Sequence, residues 1–450
     1  MSGLFGQILG RGPAAVATSD ESWLAALLEV ETALARAQAD VGLISRADAQ
    51  AIELACRSSS FDIETIGREA SASGNPVVPL VRHLRQAVGE PAGDQVHLGA
   101  TSQDILDTAT MLVARRSVDA ILVDLARAAD AAARLAAAHR DTLMAARTLL
   151  QQALPTTFGL KAAGWMVGLD ESAAHLRRVR DGRLAVQLGG AAGTLAAFGS
   201  DGPALVAALA AELGLSQPII PWHTHRARIA DLASGLGIAS GAAAKPALDI
   251  VLLAQSEVRE VREGDPNRGG SSSLPQKRNP IAAVSARAAA AQAPGLVGTL
   301  LATMAQEHER AAGAWHAEWL PLRSLFVATG SAVAWLADAL EHLEVDTVAM
   351  KANLELGGGS LTAERLVAAL SPVLGHEAAD ALITSVTRSA EQGNTPFEIM
   401  LWERISESPE FSDVDVDDLL DPRGYLGSAG VLVDRAVAAH AAQAAVEGRI

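Results

Sequence analysis

Cysteine and aromatic residues are nearly missing from this chain. Cys56 is the one cysteine in 450 residues, so neither a disulfide framework nor a cysteine metal cluster can form within one chain, and a reducing cytoplasm is the expected location. Aromatics make up 3% of the residues against 49% that are hydrophobic. Alanine and leucine supply much of the difference, which favours closely packed helices over strands, and an all-α fold is expected. Basic residues are also short, 36 against 52 acidic for a net charge of −16, which argues against nucleic acid or an anionic membrane as partner. A small anionic substrate is compatible with this balance where cations converge locally. No apolar run reaches ~18 uninterrupted residues, and Met1 to Ala15 is broken by Gly and Pro, so no membrane span and no signal peptide are expected.

What the chain has instead is helical periodicity. Trp23, Leu27, Val30, Leu34 and Ala37 follow the 3–4 spacing of one helix face, with Ser19 or Asp20 as its cap. Val118, Ile121, Leu122, Leu125, Ala128, Ala132 and Leu135 continue the same stepping, as an antiparallel bundle requires. Similar patterns occupy 226–262, 281–310 and 322–343, with Pro246 and Pro294 expected to kink or interrupt theirs. Past about 345, Gly357-Gly358-Gly359-Ser360 breaks the pattern, shorter helices follow, and Asp413 to Asp418 reads as solvated loop. The expected division is an N-terminal helical domain, 1–104, a central long-helix bundle, 105–345, with a mobile loop at 264–279, and a small C-terminal helical domain, 346–450. Helices this long leave apolar surface on more than one side, so self-association is expected.

Four stretches carry chemistry-bearing residues. Gly269-Gly270-Ser271-Ser272-Ser273-Leu274-Pro275-Gln276-Lys277-Arg278-Asn279-Pro280 cannot hold a regular helix until Pro280, where one can begin. Its backbone N–H groups, the Lys277 charge and the Asn279 amide suit an anion, and a serine among them could transfer a proton; the other reading is a linker beside a solvated base. His97-Leu98-Gly99-Ala100-Thr101-Ser102-Gln103-Asp104 ends in a helix cap, Thr101 or Ser102, whose two hydroxyls at a helix start also make a carboxylate seat. Ser73-Gly74-Asn75-Pro76 is a turn. Gln306 to Trp319 combines His308, Arg310 and His316 with two tryptophans, read either as a helix end with scattered charges or as cations for an acidic substrate. His308 and His316 lack a nearby third ligand, so no metal site is expected.

The run from Gly270 to Pro280 resembles the fumarase/aspartase superfamily signature G-S-S-x-M-P-x-K-x-N-P, with Leu274 in place of the methionine. The resemblance implies a homotetramer on a shared helical bundle with active sites shared between subunits. It assigns Ser271, Lys277 and Asn279 to catalysis. It places Asn75, His97, Thr101, Ser102, Gln103, Thr148, Gln151, Arg278, His308, Arg310 and His316 against substrate, His97 standing where adenylosuccinate lyases carry a histidine. No cofactor is implied. Arg147-Thr148-Leu149-Leu150-Gln151-Gln152-Ala153-Leu154-Pro155-Thr156-Thr157 is similar to R-T-H-x-Q-x-A-x-P-T-T. Here Leu149 replaces the fumarase histidine, and Val284 stands where fumarases have its partner glutamate.

Both halves of that acid/base couple are therefore absent. A reaction that adds water or an amine must manage the nucleophile's proton. A carboxylate of the substrate is already ionised at neutral pH, because carboxyl pKa values lie near ~4, so an intramolecular lactonisation can spare the couple. The lineage resembled is 3-carboxy-cis,cis-muconate cycloisomerase. The stretches Gln187 to Leu195, Pro221 to Arg226, Gln306 to Arg310, Trp315 to Trp319 and Leu420 to Gly427 point the same way; Gln152 departs from relatives with histidine there. The implied partner is a small tricarboxylate. The rivals are an adenylosuccinate lyase-like C–N lyase and a non-catalytic helical homotetramer.

Overall fold

The structure is a computed structural model that describes residues 4–393, 395–406, 409–411 and 414–448. Helices dominate, and the all-α expectation holds. The strands are short: β1 (Leu143–Thr148) pairs with β2 (Gln151–Thr157), and β3 (Val261–Glu263) with β4 (Leu343–Val345), each pair antiparallel. The chain forms two compact units, Met1–Ala126 with Glu171–Ala244 and Ser285–Leu336, and Arg127–Asp170 with Lys245–Val284 and Ala337–Ile450.

In the first unit the Asp20–Asp40 helix starts as its sequence dictates. Ser19 is the cap and accepts the Ser22 N–H at 3.2 Å, while Leu27, Val30, Leu34 and Ala37 are buried. The long patterns are helical with shifted ends. Ser102–Ala138 is one helix. The 226–262 pattern gives Ala227–Leu253, continuous through Pro246, and its tail contains β3 instead. The 281–310 pattern splits at the proline into Ile281–Ala290 and Ala293–Ala302, since proline tolerates only the first turn of a helix. The last pattern begins early, as Ala314–Glu341, and contains Pro321. Ala227–Leu253 and Ala314–Glu341 are long and apolar enough to cross a membrane by length and composition, which unbroken runs did not reveal. Of their most apolar windows, 50% and 78% are buried within the protein, as in core helices of a bundle.

In the second unit, Leu366, Leu370, Ile383, Phe397 and Leu401 form the core of the C-terminal helices. Asp415 caps a short helix, Val416–Leu420, so the acidic stretch is partly helical; Asp413 lies outside the described residues. The hairpin β1–β2 is held next to its turn by Arg147. Its guanidinium donates two bonds, at 2.9 and 2.6 Å, to Glu260, a fully buried carboxylate that also accepts from Asn353 at 2.9 Å. The hairpin turns through Leu149 and Leu150 alone, between the paired Thr148 and Gln151. Both have positive φ, 52° and 68°. A two-residue turn with both φ positive normally takes Asn-Gly, because a side chain with Cβ is strained there. Leucines occupy it here, 98% and 73% exposed.

Two outcomes follow from the hairpin. Truncating Glu260→Ala strands the Arg147 charge and should lower unfolding free energy by about 3 kcal/mol in urea titrations. Replacing Leu149 by Asn and Leu150 by Gly relieves strain and should raise it by about 1 kcal/mol; a loss instead would mean that the leucines are covered in the assembled protein.

Candidate active site

In the first unit, the start of the Ser102–Ala138 helix is wired by one carboxylate. Asp104 accepts from its own Thr101 N–H at 3.0 Å, from Gly189 N and Gly190 N at 2.9 Å each, and meets His223 Nε2 at 2.7 Å. Three stretches that carried the family resemblance thus meet at Asp104, which is fully buried. Because Asp104 takes the Thr101 N–H, the Thr101 hydroxyl is turned to another partner: Arg310 Nη1 donates to Oγ1 at 2.9 Å. Thr101 and Ser102 are half-buried at the helix start. Gln103 lies beneath this seat rather than in it; it is 1% exposed, and its amide donates to Asp107 at 3.1 Å and to the His223 carbonyl at 2.9 Å.

Below the seat, Arg226 is enclosed. It donates to Asp107 at 2.8 and 3.0 Å and to Glu318 at 3.0 and 2.6 Å, and Trp315 Nε1 donates to Asp107 at 3.0 Å. Burial pushes the Glu318 carboxyl up, and the Arg226 charge pulls against it without cancelling the rise. Gln306 donates to Glu318 at 2.8 Å, which ties down the segment leading to His308 and Arg310. His308 is exposed with φ 45°, and its carbonyl accepts from Thr224 at 3.1 Å. His316 is exposed, packs against Trp315 and Trp319, and its Nε2 lies 3.8 Å from where a Cβ on Gly74 would be. The structure therefore brings His316 beside the Gly74-Asn75 turn and Arg310 beside Thr101. Asn75 itself caps the Val77–Val88 helix, its Oδ1 accepting Val77 N at 3.1 Å and Val78 N at 3.3 Å.

The second unit holds the serine loop. Gly269 N and O face the far end of the loop: the Asn279 N–H and side-chain amide donate to the Gly269 carbonyl at 2.8 and 3.0 Å, and Gly270 bridges to Arg278. Gly269 has φ 77°, and a Cβ there would lie 2.2 Å from the Asn279 carbonyl oxygen, so only glycine closes this base. Above it, Ser271 Oγ accepts from Ser273 N at 3.4 Å and Leu274 N at 3.2 Å. Two backbone donors on one hydroxyl oxygen favour negative charge on it. Lys277 and Arg278 are exposed, and neither has a carboxylate partner among the described residues; the same holds for Arg310 in the first unit.

One expectation changes at the loop's end. The Ile281–Ala290 helix start is occupied within the chain: Glu263 accepts Ala282 N at 3.0 Å and Ala283 N at 2.8 Å. Burial raises the Glu263 carboxyl, with those N–H groups pulling the other way. Any anion must therefore use Lys277, the Asn279 amide and the loop backbone. Thr148 and Gln151 flank the exposed hairpin turn, Leu149 at its tip, and Val284 is 44% exposed.

His97 is a positioned base. Its φ is 62°, and Nδ1 is 2.7 Å from Glu31, a carboxylate 1% exposed. Burial pulls the imidazole down, but the Glu31 charge and hydrogen bond outweigh it, and the pKa is raised above 6.5. A base with a raised folded pKa contributes stability that is full below its unfolded value, near 6.5, and lost as pH rises through the folded value. His97→Gln should therefore flatten the fall in unfolding free energy as pH rises above about 6.5, measured by urea titration; an unchanged slope would remove His97 as its source.

Comparison with known proteins places the chain among enzymes of one family. Residues 13–295 match a family described as lyase. The chain is 42% identical to a 3-carboxy-cis,cis-muconate cycloisomerase of Bradyrhizobium diazoefficiens, over 97% of each protein. It is 44% identical to a nitrosuccinate lyase of Streptomyces davaonensis, over 97% of this chain and 94% of that one. The crystal structure of the 3-carboxy-cis,cis-muconate lactonizing enzyme of Pseudomonas putida superposes with a TM-score of 0.91 at 39% identity, over 97% of this chain and 98% of that one. With the serine loop, the Thr101-Ser102 helix start and near full-length similarity in agreement, the chain belongs to the lyase family of the fumarase/aspartase superfamily.

Proposed function

We propose that this protein is a cycloisomerase that converts 3-carboxy-cis,cis-muconate to 4-carboxymuconolactone. The observation that carries the reading is the state of the proton-handling groups. Ser271 Oγ is supported by two backbone N–H groups, while the positions of the superfamily's other acid/base couple hold Leu149, 98% exposed, and Val284. Relatives named for this reaction support it.

In the proposed reaction one terminal carboxylate oxygen forms a C–O bond to the diene carbon that bears the third carboxyl group, which closes a five-membered lactone ring. The electron pair of that carbon's own double bond moves to the neighbouring carbon, next to the other terminal carboxylate, which becomes enediolate-like, while the second double bond stays in the ring. Lys277 and the Asn279 amide meet that charge, with the Thr101-Ser102 seat and Arg310 holding a substrate carboxylate in the assembled enzyme. Ser271 gives its proton to that carbon and regains one from solvent. A triacid calls for several unpaired cations, and Lys277, Arg278 and Arg310 supply them; His97, Asn75, His308, His316, Thr148 and Gln151 are the proposed margins of the site. The assembly is a homotetramer with sites shared between subunits. Val123 and Ile238 on the long helices are 60% and 48% exposed, apolar surface that association would cover.

A second reading has a specific observation behind it, the 44% identity to a nitrosuccinate lyase. A nitro group departs as nitrite, a stable anion that needs no proton, so elimination to fumarate would also spare the couple. Ser271 would then remove a proton from carbon instead of delivering one.

Two measurements test this. Purified protein given 3-carboxy-cis,cis-muconate should consume the diene absorbance and release lactone, with nitrosuccinate and adenylosuccinate untouched; release of nitrite or fumarate and no loss of the diene would replace the reading with a C–N lyase. Ser271→Ala should cut turnover by about a hundredfold or more with unchanged thermal stability, and retained turnover would remove Ser271 from the reaction.

A further inference from the structure

Glu31 is an acidic residue on the buried face of its helix. The Asp20–Asp40 helix turns Leu27, Val30 and Leu34 inward, and Glu31 lies among them, 1% exposed. A carboxylate in such surroundings is costly unless a cation meets it. His97 Nδ1 meets it at 2.7 Å, from 66 residues away in sequence, and among the described residues Glu31 has no other hydrogen-bond partner.

His97 is held by the same contact. Its φ of 62° is a conformation that a side chain with a Cβ adopts only where the surroundings fix it. The opposite ring nitrogen, Nε2, has no partner among the described residues, and it is not shut off from solvent. One turn, closed by the Ala100 N–H on the His97 carbonyl at 3.3 Å, joins His97 to Thr101, whose hydroxyl accepts from Arg310. Burial opposes charge on the imidazole, Glu31 and then Asp104 favour it, and Arg85 opposes it. Arg85 is itself held by the Val96 carbonyl at 3.1 Å.

We propose that Glu31 is a positioning residue of the anion seat: its buried carboxylate holds His97 as an imidazolium, and His97 Nε2–H donates to a substrate carboxylate alongside Arg310. A neutral His97 tied through Nδ1–H would turn a lone pair at Nε2 toward that carboxylate, which repels it, so the charge behind the ring decides whether the ring attracts the ligand. The inference rests on the reading that the Thr101-Arg310 seat takes a carboxylate of the substrate. It holds for lactonisation and for elimination alike, since both start from a molecule with several carboxylates.

The test uses the assembled full chain and benzene-1,2,4-tricarboxylate, an unreactive planar triacid, with binding followed by calorimetry. In the parent, affinity should fall as pH rises above about 6.5, with proton uptake on binding seen as a dependence of the heat on the buffer. Carboxyl groups titrate near pH ~4, so this limb belongs to the protein. Glu31→Gln keeps an acceptor for Nδ1–H and removes the charge. Its fall should begin at lower pH, and at neutral pH it should bind the triacid about tenfold more weakly or worse, the worth of a hydrogen bond to a charged group. Glu31→Asp restores the charge and should move the fall back toward the parent's. A residue that only packs would change stability and leave the pH dependence where it was. His97→Gln should remove the limb altogether, which keeps the test decisive if Glu31→Gln does not fold. The proposal is overturned if the parent fails to bind the triacid or binds it equally at every pH, if the fall lies at the same pH in Glu31→Gln as in the parent, or if it persists in His97→Gln. Failure of the parent to consume 3-carboxy-cis,cis-muconate would end the cycloisomerase reading and leave these binding results standing.

Discussion

The first unit depends on one enclosed guanidinium. Arg226 sits just before the Ala227–Leu253 helix and binds Asp107 on the Ser102–Ala138 helix and Glu318 on the Ala314–Glu341 helix, with all three side chains at most 3% exposed. Removing such charges from water costs several kcal/mol per ion. The cost is offset only because the pairing with Asp107 is bidentate and because Trp315, Gln103 and Gln306 donate to the carboxylates that Arg226 leaves partly unsatisfied. A well-packed apolar replacement could match its stability, so stability is not what the cluster adds. It ties the Asp107 and Glu318 helices to the start of the Ala227–Leu253 helix.

A second constraint shapes the serine loop. Its base is closed by the Gly269 and Asn279 backbones at a separation no side chain could enter. The residues from Ser272 to Arg278 above that base are exposed. The anchor therefore sets where the exposed residues above it stand. The side chain and the backbone of Asn279 both hold the base.

The two anion-binding features read from sequence fare differently for one reason, the availability of donors. At Ile281–Ala290 the first N–H groups are already capped by Glu263, a residue eighteen positions upstream. At Ser102–Ala138 the internal carboxylate, Asp104, takes the Thr101 N–H and leaves the hydroxyl to Arg310. A helix start attracts negative charge in both cases. Whether that charge comes from the protein or from a ligand is a property of the neighbouring strand or loop.

Local patterns therefore determined much by themselves. The helix faces of Asp20–Asp40 and Ser102–Ala138, the Ser19 cap, the break at Pro294 and the glycine-serine loop ending in Lys277-Arg278-Asn279 follow from periodicity and backbone preference, which are properties of a few consecutive residues. The absence of the acid/base couple was equally legible at Leu149 and Val284. Only tertiary structure decided that Gln103 is a buried strut, that Glu263 fills the loop helix's start, and that Asp104 and Arg226 gather distant stretches. Those outcomes depend on which side chains meet across gaps of about twenty to more than a hundred residues, and a hydrogen bond or ion pair carries no mark in the sequence of the partner it will find.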